Sequence, residues 1–342
     1  MRKISIVLFV IFEFHFIWAF GKNSPDYVST FMDYTINTRF REAEAFLSNR
    51  IAEGDSGYQV YFYYASLLNS KMTHYENKDD AGQFLLYIDK VIDKTNQYIQ
   101  ESNDIDSSAM ADLYFYRGSA YGYLAYFQGQ TGEWYTALNS GMQSYDDLQT
   151  ALAYDSSFYD AYLGIGVYKY WKSAKLNFLL WLPFVEDRRQ EGIDDIKRAI
   201  GNACNSRYLA IHQLVYILTD YGNFDEALSY AQMGVDAYPK SQFMWWAYAH
   251  CFYKKHDHLK AIEAYKTLLS FVEEDDQANP MHWVEIHLKL AEVYQRMEDK
   301  KQADYHCRLV LDKYPEPFPE DGMERFKKAR QMLHEINFQE SN

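Results

Sequence analysis

The sequence predicts an all-α protein, an α-solenoid of about seven helix pairs closed by one further helix. Three observations predict it. Apolar residues recur at helical spacing: Ile211, Leu214, Val215 and Leu218, then Trp245, Tyr248, Ala249 and Phe252, then His287, Leu290, Ala291 and Tyr294. Each set falls at i, i+3, i+4 and i+7, which is one face of a helix. A second set of landmarks repeats about every 34 residues, the mark of a stacked repeat. The 342-residue chain also holds only 7 Pro and 16 Gly, too few turn-formers for a β-sandwich of this length.

The stretch YGNFDEALSYAQMGVDAYPKS (221–241) displays the unit. A step of 34 residues from Ala227 reaches Ala261, and a further 42 reaches Ala303. The 8 extra residues of the longer step fall in the polar stretch EEDDQANP (273–280). Pro239 and Pro315 each follow their alanine by 12 residues. The physical logic is packing. The small alanine lets the second helix of a pair approach the first, the glycine permits the positive φ of a helix end, and the proline stops the second helix. The same step from Gly222 lands on His256, so only one of the three units carries the turn glycine.

This pattern resembles the tetratricopeptide repeat (TPR) family. The resemblance covers residues 208–315 and rests on Trp245, Gly222, Ala227, Ala261, Ala303, Pro239 and Pro315. Upstream, AYLGIGVYKYW (161–171) looks like a first helix, with Leu163 and Gly164 at the small-residue contact. ALAYDSSF (151–158) looks like the end of the preceding unit, and FREAEAFL (40–47), with Phe40 and Ala43, like the first. The expected division is a leader over 1–21, divergent helical repeats over 22–155, a repeat with an apolar insertion (174–190) over 156–207, well-matched repeats over 208–315, and a capping helix and tail over 316–342. The capping helix is expected from about Asp321 to Ile336. Gly164 and its equivalent Val215 stand 51 residues apart, 17 more than the period. An apolar insertion followed by D-R-R-x-E-G is similar to a TPR subgroup spanning exported bacterial proteins and eukaryotic relatives tied to inclusion-body clearance and lipid-rich organelles. The insertion is expected to form a buried elbow or, alternatively, through 176–185, a surface for a membrane or partner. It is too short to cross a bilayer.

Charge and the N-terminus bound the setting. A net charge of −14 without a basic run disfavours a nucleic-acid partner. Arg2 and Lys3, the apolar run from Ile4 to Phe20, and the small residues Ala19 and Gly21 read as a secretory leader cut after Gly21. Glu13, in mid-run, argues against a permanent membrane span. An exported chain is therefore expected, periplasmic or in the cell envelope if the host is bacterial. Cys204, Cys251 and Cys307 are too few for a disulfide framework and are expected to be free, buried thiols.

Signatures of catalysis are missing: no G-x-x-x-x-G-K-[ST], G-x-S-x-G, H-E-x-x-H or C-x-x-C occurs. His250, His256, Asp257 and His258 come nearest to a metal set, in a turn expected to be solvated, and no metal or cofactor is assigned. The run Glu273, Glu274, Asp275, Asp276 lacks the spacing of a calcium loop. The resemblance implies a concave groove lined by first-helix positions, here Leu209, His212 and Tyr216, then Phe243, Trp246, His250 and Tyr253, then Glu285, Leu288 and Glu292. Family members that grip chaperone C-termini place Lys, Arg and Asn there. Aromatics, His and Glu in their stead imply an aromatic-lined groove for an extended or helical peptide. The candidate partner-binding residues are His212, Tyr216, Phe243, Trp246, His250, Tyr253 and Glu292. Adjacent helix residues point about 100° apart, so Trp245 is expected in the core and Trp246 at the groove. The expected function is that of an exported, non-enzymatic scaffold for a protein or peptide partner. An envelope or lipid-surface module using 176–185, and an enzyme with an unrecognised site, are the alternatives.

Overall fold

The computed structural model describes residues 25–101, 106–175, 186–202, 205–314 and 322–340. The leader (1–21), the apolar stretch 176–185, Cys204 and Pro315 lie outside the described residues. Fifteen helices and no strand occupy those that are described. In chain order they are α1 (Val28–Ile36), α2 (Phe40–Ala52), α3 (Tyr58–His74), α4 (Ala81–Glu101), α5 (Ser107–Gln130), α6 (Trp134–Tyr154), α7 (Ala161–Lys175), α8 (Arg189–Asn202), α9 (Arg207–Tyr221), α10 (Phe224–Ala237), α11 (Gln242–Lys255), α12 (His258–Glu274), α13 (Pro280–Arg296), α14 (Lys300–Lys313) and α15 (Met323–Glu340). They form the seven consecutive pairs and the closing helix that the sequence predicts. Two compact units divide the chain, one of Met1–Phe31 and Arg41–Gln213, the other of Met32–Phe40 and Leu214–Asn342.

One turn joins the helices of five pairs. A residue in the left-handed region sits two positions before the second helix: Thr38 (φ 58°), Gly132 (82°), Gly222 (90°), His256 (61°) and Glu298 (62°). Its N–H donates to the carbonyl three residues back, and the next N–H donates to the carbonyl five residues back. Thus Gly222 bonds Thr219 and Asn223 bonds Leu218; His256 bonds Tyr253 and Asp257 bonds Phe252; Glu298 bonds Gln295 and Asp299 bonds Tyr294. These bonds satisfy carbonyls that the end of the first helix leaves open. The following residue then starts the second helix. The Asp257 and Asp299 carboxylates accept from the N–H groups of Lys260 and Gln302, as N-caps do. The 34-residue step therefore preserves a backbone state where it does not preserve glycine. A Cβ in this region costs about 1–2 kcal/mol, part of which glycine's greater unfolded-state freedom returns. Glu298 is exposed. Glu298→Gly is expected to raise stability by about 0.5–1 kcal/mol and Gly222→Ala to lower it by at least as much. Urea denaturation of the two variants checks both signs.

In the first unit the tyrosine-rich composition becomes a core. Tyr63 and Tyr116 are buried with their hydroxyls 2.8 Å apart. Phe62 packs edge-on to both, at 5.4 and 5.1 Å between ring centroids. Pairing the hydroxyls removes the penalty of burying them. Between α5 and α6, Arg117 donates from Nε and Nη2 to the two oxygens of buried Asp147 at 2.8 and 2.7 Å, and from Nη1 to Asn96 at 2.7 Å.

The pair α7/α8 is held by glycines. A Cβ on Gly166 would lie 2.5 Å from the Gly192 carbonyl oxygen, and one on Gly192 2.5 Å from the Gly166 carbonyl oxygen. The two helices therefore touch backbone to backbone. This accounts for the D-R-R-x-E-G motif. Asp187 receives Arg189, whose hydrogen bonds hold the carboxyl below its ordinary range, Arg188 pairs with Glu191 at 2.7 Å, and Gly192 makes the contact. The Arg188 N–H also donates to the Ser173 hydroxyl at 3.0 Å.

In the second unit Ala227, Ala261 and Ala303 have no accessible surface, as close approach of the paired helices requires. Cys251 and Cys307 are buried free thiols, and burial pushes each up to about 12. Between α13 and α14, buried His287 and His306 face each other with Nδ1 atoms 2.8 Å apart. One ring donates from Nδ1 and the other accepts at Nδ1, so the accepting ring is neutral. Burial, with His306 and Lys313 adding to it, lowers His287 to about 3. Burial, with Lys266 adding, lowers His306 to about 4. Burial and then Arg325 lower His282 to about 4. In the unfolded chain such groups take a proton near 6.5. For these histidines the unfolded state binds more protons between that value and the folded ones, so their contribution to stability is complete above about pH 6.5 and declines as the pH falls toward 4; Asp112 and Asp160, which burial raises to about 6, act in the opposite sense over the lower part of that range. The melting temperature is expected to be flat above that window and to drop through it, with a shallower drop in His306→Gln; a melting series against pH checks it.

Candidate partner-binding face

Helix α11 sets the candidate face. Ser241 caps it, accepting from the Met244 N–H at 3.3 Å and donating to the Ile36 carbonyl. One side of the helix buries Met244, Ala247, Cys251 and Phe252. Phe243, Trp246, His250 and Tyr253 run along another side and are half-buried. Their neighbours come from the first helices of the adjoining pairs. His250 lies 4.8 Å from the Tyr216 ring of α9, tilted by 33°. Trp246 meets His282 of α13 at 5.7 Å and, behind it, buried Tyr265 of α12 at 6.2 Å. The Tyr253 hydroxyl donates to Glu292 of α13 at 2.5 Å. His250 with Tyr216, Trp246 with His282, and Tyr253 with Glu292 thus link α11 to α9 and α13, with Phe243 at the start of α11.

Several expectations need correction. His212 is 1% accessible, Leu209 and Leu288 are 2% and Tyr216 is 8%, so these are packing residues rather than partner surface, and Glu292, at 9%, is already engaged by Lys289, Lys328 and Tyr253. The contrast between Trp245 and Trp246 is also absent, since both are half-buried. Trp245 donates from Nε1 to the Pro239 carbonyl at 2.8 Å and packs against Phe271 of α12 at 5.9 Å. The two rings differ in direction rather than in burial, because α11 has neighbours on both sides.

Beyond Tyr253 a cavity of about 530 Å3 opens between α11, α13 and α15, lined by Tyr253, Glu292, Arg296, Lys328, Met332 and Glu335, among others. Its electrostatics are organised around Glu292. The carboxylate is 9% accessible and takes Lys328, Lys289 at 3.6 Å and the Tyr253 hydroxyl. Burial alone would raise its pKa; Lys289, Lys328 and Tyr253 outweigh that and hold it below the usual range. The Tyr253 phenol is raised by burial and by Glu292. Lys289 also reaches Glu285 at 3.4 Å, which Arg325 of α15 binds at 2.8 Å. The cations Lys289, Arg296 and Lys328 were not among the residues expected here, so the face is not purely aromatic. Arg296 was findable, since it lies four residues beyond Glu292 on the same helix face. Lys328 and Glu335 stand on α15, outside the repeat register, and carry no such signal. Among the described residues no three His, Cys, Asp or Glu side chains converge on a metal site. Glu292→Gln takes from Lys328 its carboxylate and leaves Lys289 with Glu285 alone, and is expected to cost about 1–3 kcal/mol of stability, measurable by chemical denaturation.

No protein-family model matches this sequence, and no curated protein does. Solved TPR proteins are similar in structure. YrrB, a TPR protein with an unusual peptide-binding site, is 14% identical with a TM-score of 0.45, covering 69% of this chain and 97% of its own. The C-terminal part of a TPR protein from Cytophaga hutchinsonii is 16% identical with a TM-score of 0.44, over 87% and 98% of the two chains. Yeast Tom70 is 15% identical with a TM-score of 0.43, over 96% of this chain and 67% of its own. By its own turns and helix order, the chain is an all-α protein of successive helix pairs with one closing helix among the described residues.

Proposed function

We propose that this chain is an interaction module that binds a peptide segment of a partner protein along the α9–α11–α13–α15 face of its second unit. One observation carries the reading: the half-buried side of α11 that holds Phe243, Trp246, His250 and Tyr253 leads to a cavity of about 530 Å3, with Tyr253 belonging to both. Rigid aromatic rings give contact area at small entropic cost, and Arg and Tyr are frequent anchors at interfaces. The cavity falls in the range of about 300–1,000 Å3 typical of ligand sites. The reading includes export, with residues 1–21 as a cleaved leader and a mature chain beginning at Lys22. Photo-crosslinking in the host tests the face. A benzophenone side chain replacing Phe243 or Gln295 is expected to capture a partner, whereas one replacing Leu259, which is 70% accessible on α12, is not. Adducts from position 259 alone overturn the assignment.

A further inference from the structure

We infer that the α11/α13/α15 cavity is a dipolar site, which takes an acidic and a basic side chain of one peptide together, the carboxylate at Arg296 and the cation at Glu335. The inference rests on the peptide-binding reading above and names what the cavity end of that face selects. Glu292 is unavailable to a ligand because Lys289, Lys328 and the Tyr253 hydroxyl already occupy it. Arg296 is different. Its Nη2 donates to the Tyr253 hydroxyl at 2.8 Å, its Nη1 lies 3.5 Å from His256 Nδ1, and its guanidinium sits 4.5 Å over the Tyr253 ring. None of these partners is an anion, and Arg296 has no carboxylate partner among the described residues. It is a positioned guanidinium with its charge unspent.

Glu335 mirrors it from α15. It accepts from the Gln331 amide at 2.9 Å and the Gln295 amide at 3.5 Å, and has no cationic partner among the described residues. The two free charges line the same cavity and do not pair with each other. A purely acidic ligand entering there meets the Glu335 carboxylate, and a purely basic one meets Arg296 and Lys328. A ligand carrying both signs is opposed by neither, and like-charge contacts of this kind reject wrong partners effectively. Largely buried Met332 adds an apolar group to the lining, and the two glutamine amides keep further donors and acceptors for a peptide backbone.

Selection from a random peptide display library on the immobilised full chain tests this, with Arg296→Gln and Glu335→Gln run in parallel. Peptides enriched on the parent chain are expected to combine an acidic and a basic residue a few positions apart. Arg296→Gln is expected to abolish the preference for acid and keep that for base; Glu335→Gln does the reverse. A general loss of folding cannot produce that exchange. Each substitution is expected to weaken a selected peptide roughly tenfold, the scale of one charge-assisted contact. Enriched peptides without paired charges, an unchanged preference for base in Glu335→Gln, or displacement of a selected peptide by glutarate or cadaverine, which each carry one sign of charge, at equal concentration overturns the dipolar site and leaves peptide binding standing. No enrichment above background overturns the peptide-binding reading itself.

Discussion

The left-handed turn between paired helices is the constraint on which the remaining architecture depends. It reverses the chain within two residues while keeping the last carbonyls of one helix bonded. Because the same two hydrogen bonds recur at Thr38, Gly132, Gly222, His256 and Glu298, each second helix leaves its partner in the same way. That repetition places Ala227, Ala261 and Ala303 where they have no accessible surface. A similar closure ends α3 at Glu76 and Asn77, but α4 begins only at Ala81, so the device survives even where the connection lengthens.

The part of the fold legible in the sequence is the part set by side-chain size and period. The alanines, the prolines and the apolar stripes mark helices and their pairing because packing selects them directly. The turn was only partly legible. His256 and Glu298 adopt glycine's conformation, and nothing in their identity announces it. The D-R-R-x-E-G motif was visible as a pattern, but its meaning lay in a backbone contact between Gly166 and Gly192 that needs three-dimensional placement. The candidate face divides the same way. Tyr216, Trp246, His250, Tyr253 and Glu292 follow from register. The opposed environments assigned to Trp245 and Trp246 did not follow, because Phe271 screens one ring and His282 flanks the other.

Tyr253 shows how an aromatic face and a charged cavity can be one object. Its ring supports the Arg296 guanidinium, and its hydroxyl accepts from Arg296 while donating to Glu292. A phenylalanine there would keep the ring and disconnect the charges. The many tyrosines of this chain have a comparable role in the first unit, where the hydroxyls of Tyr63 and Tyr116 satisfy one another within a packed aromatic cluster.

The α7/α8 pair carries a consequence for how such a chain can change over time. The Gly166–Gly192 contact and the bond from the Arg188 N–H to the Ser173 hydroxyl fix both ends of the intervening stretch near each other. Once the ends of a loop are fixed, each doubling of its length adds only about 0.6 kcal/mol of closure cost. The close approach of α7 and α8 is thus set by residues outside that stretch, and a change in its length is expected to cost the pair little. Variation concentrated there in related chains would be a record of changing tasks rather than of a changing fold.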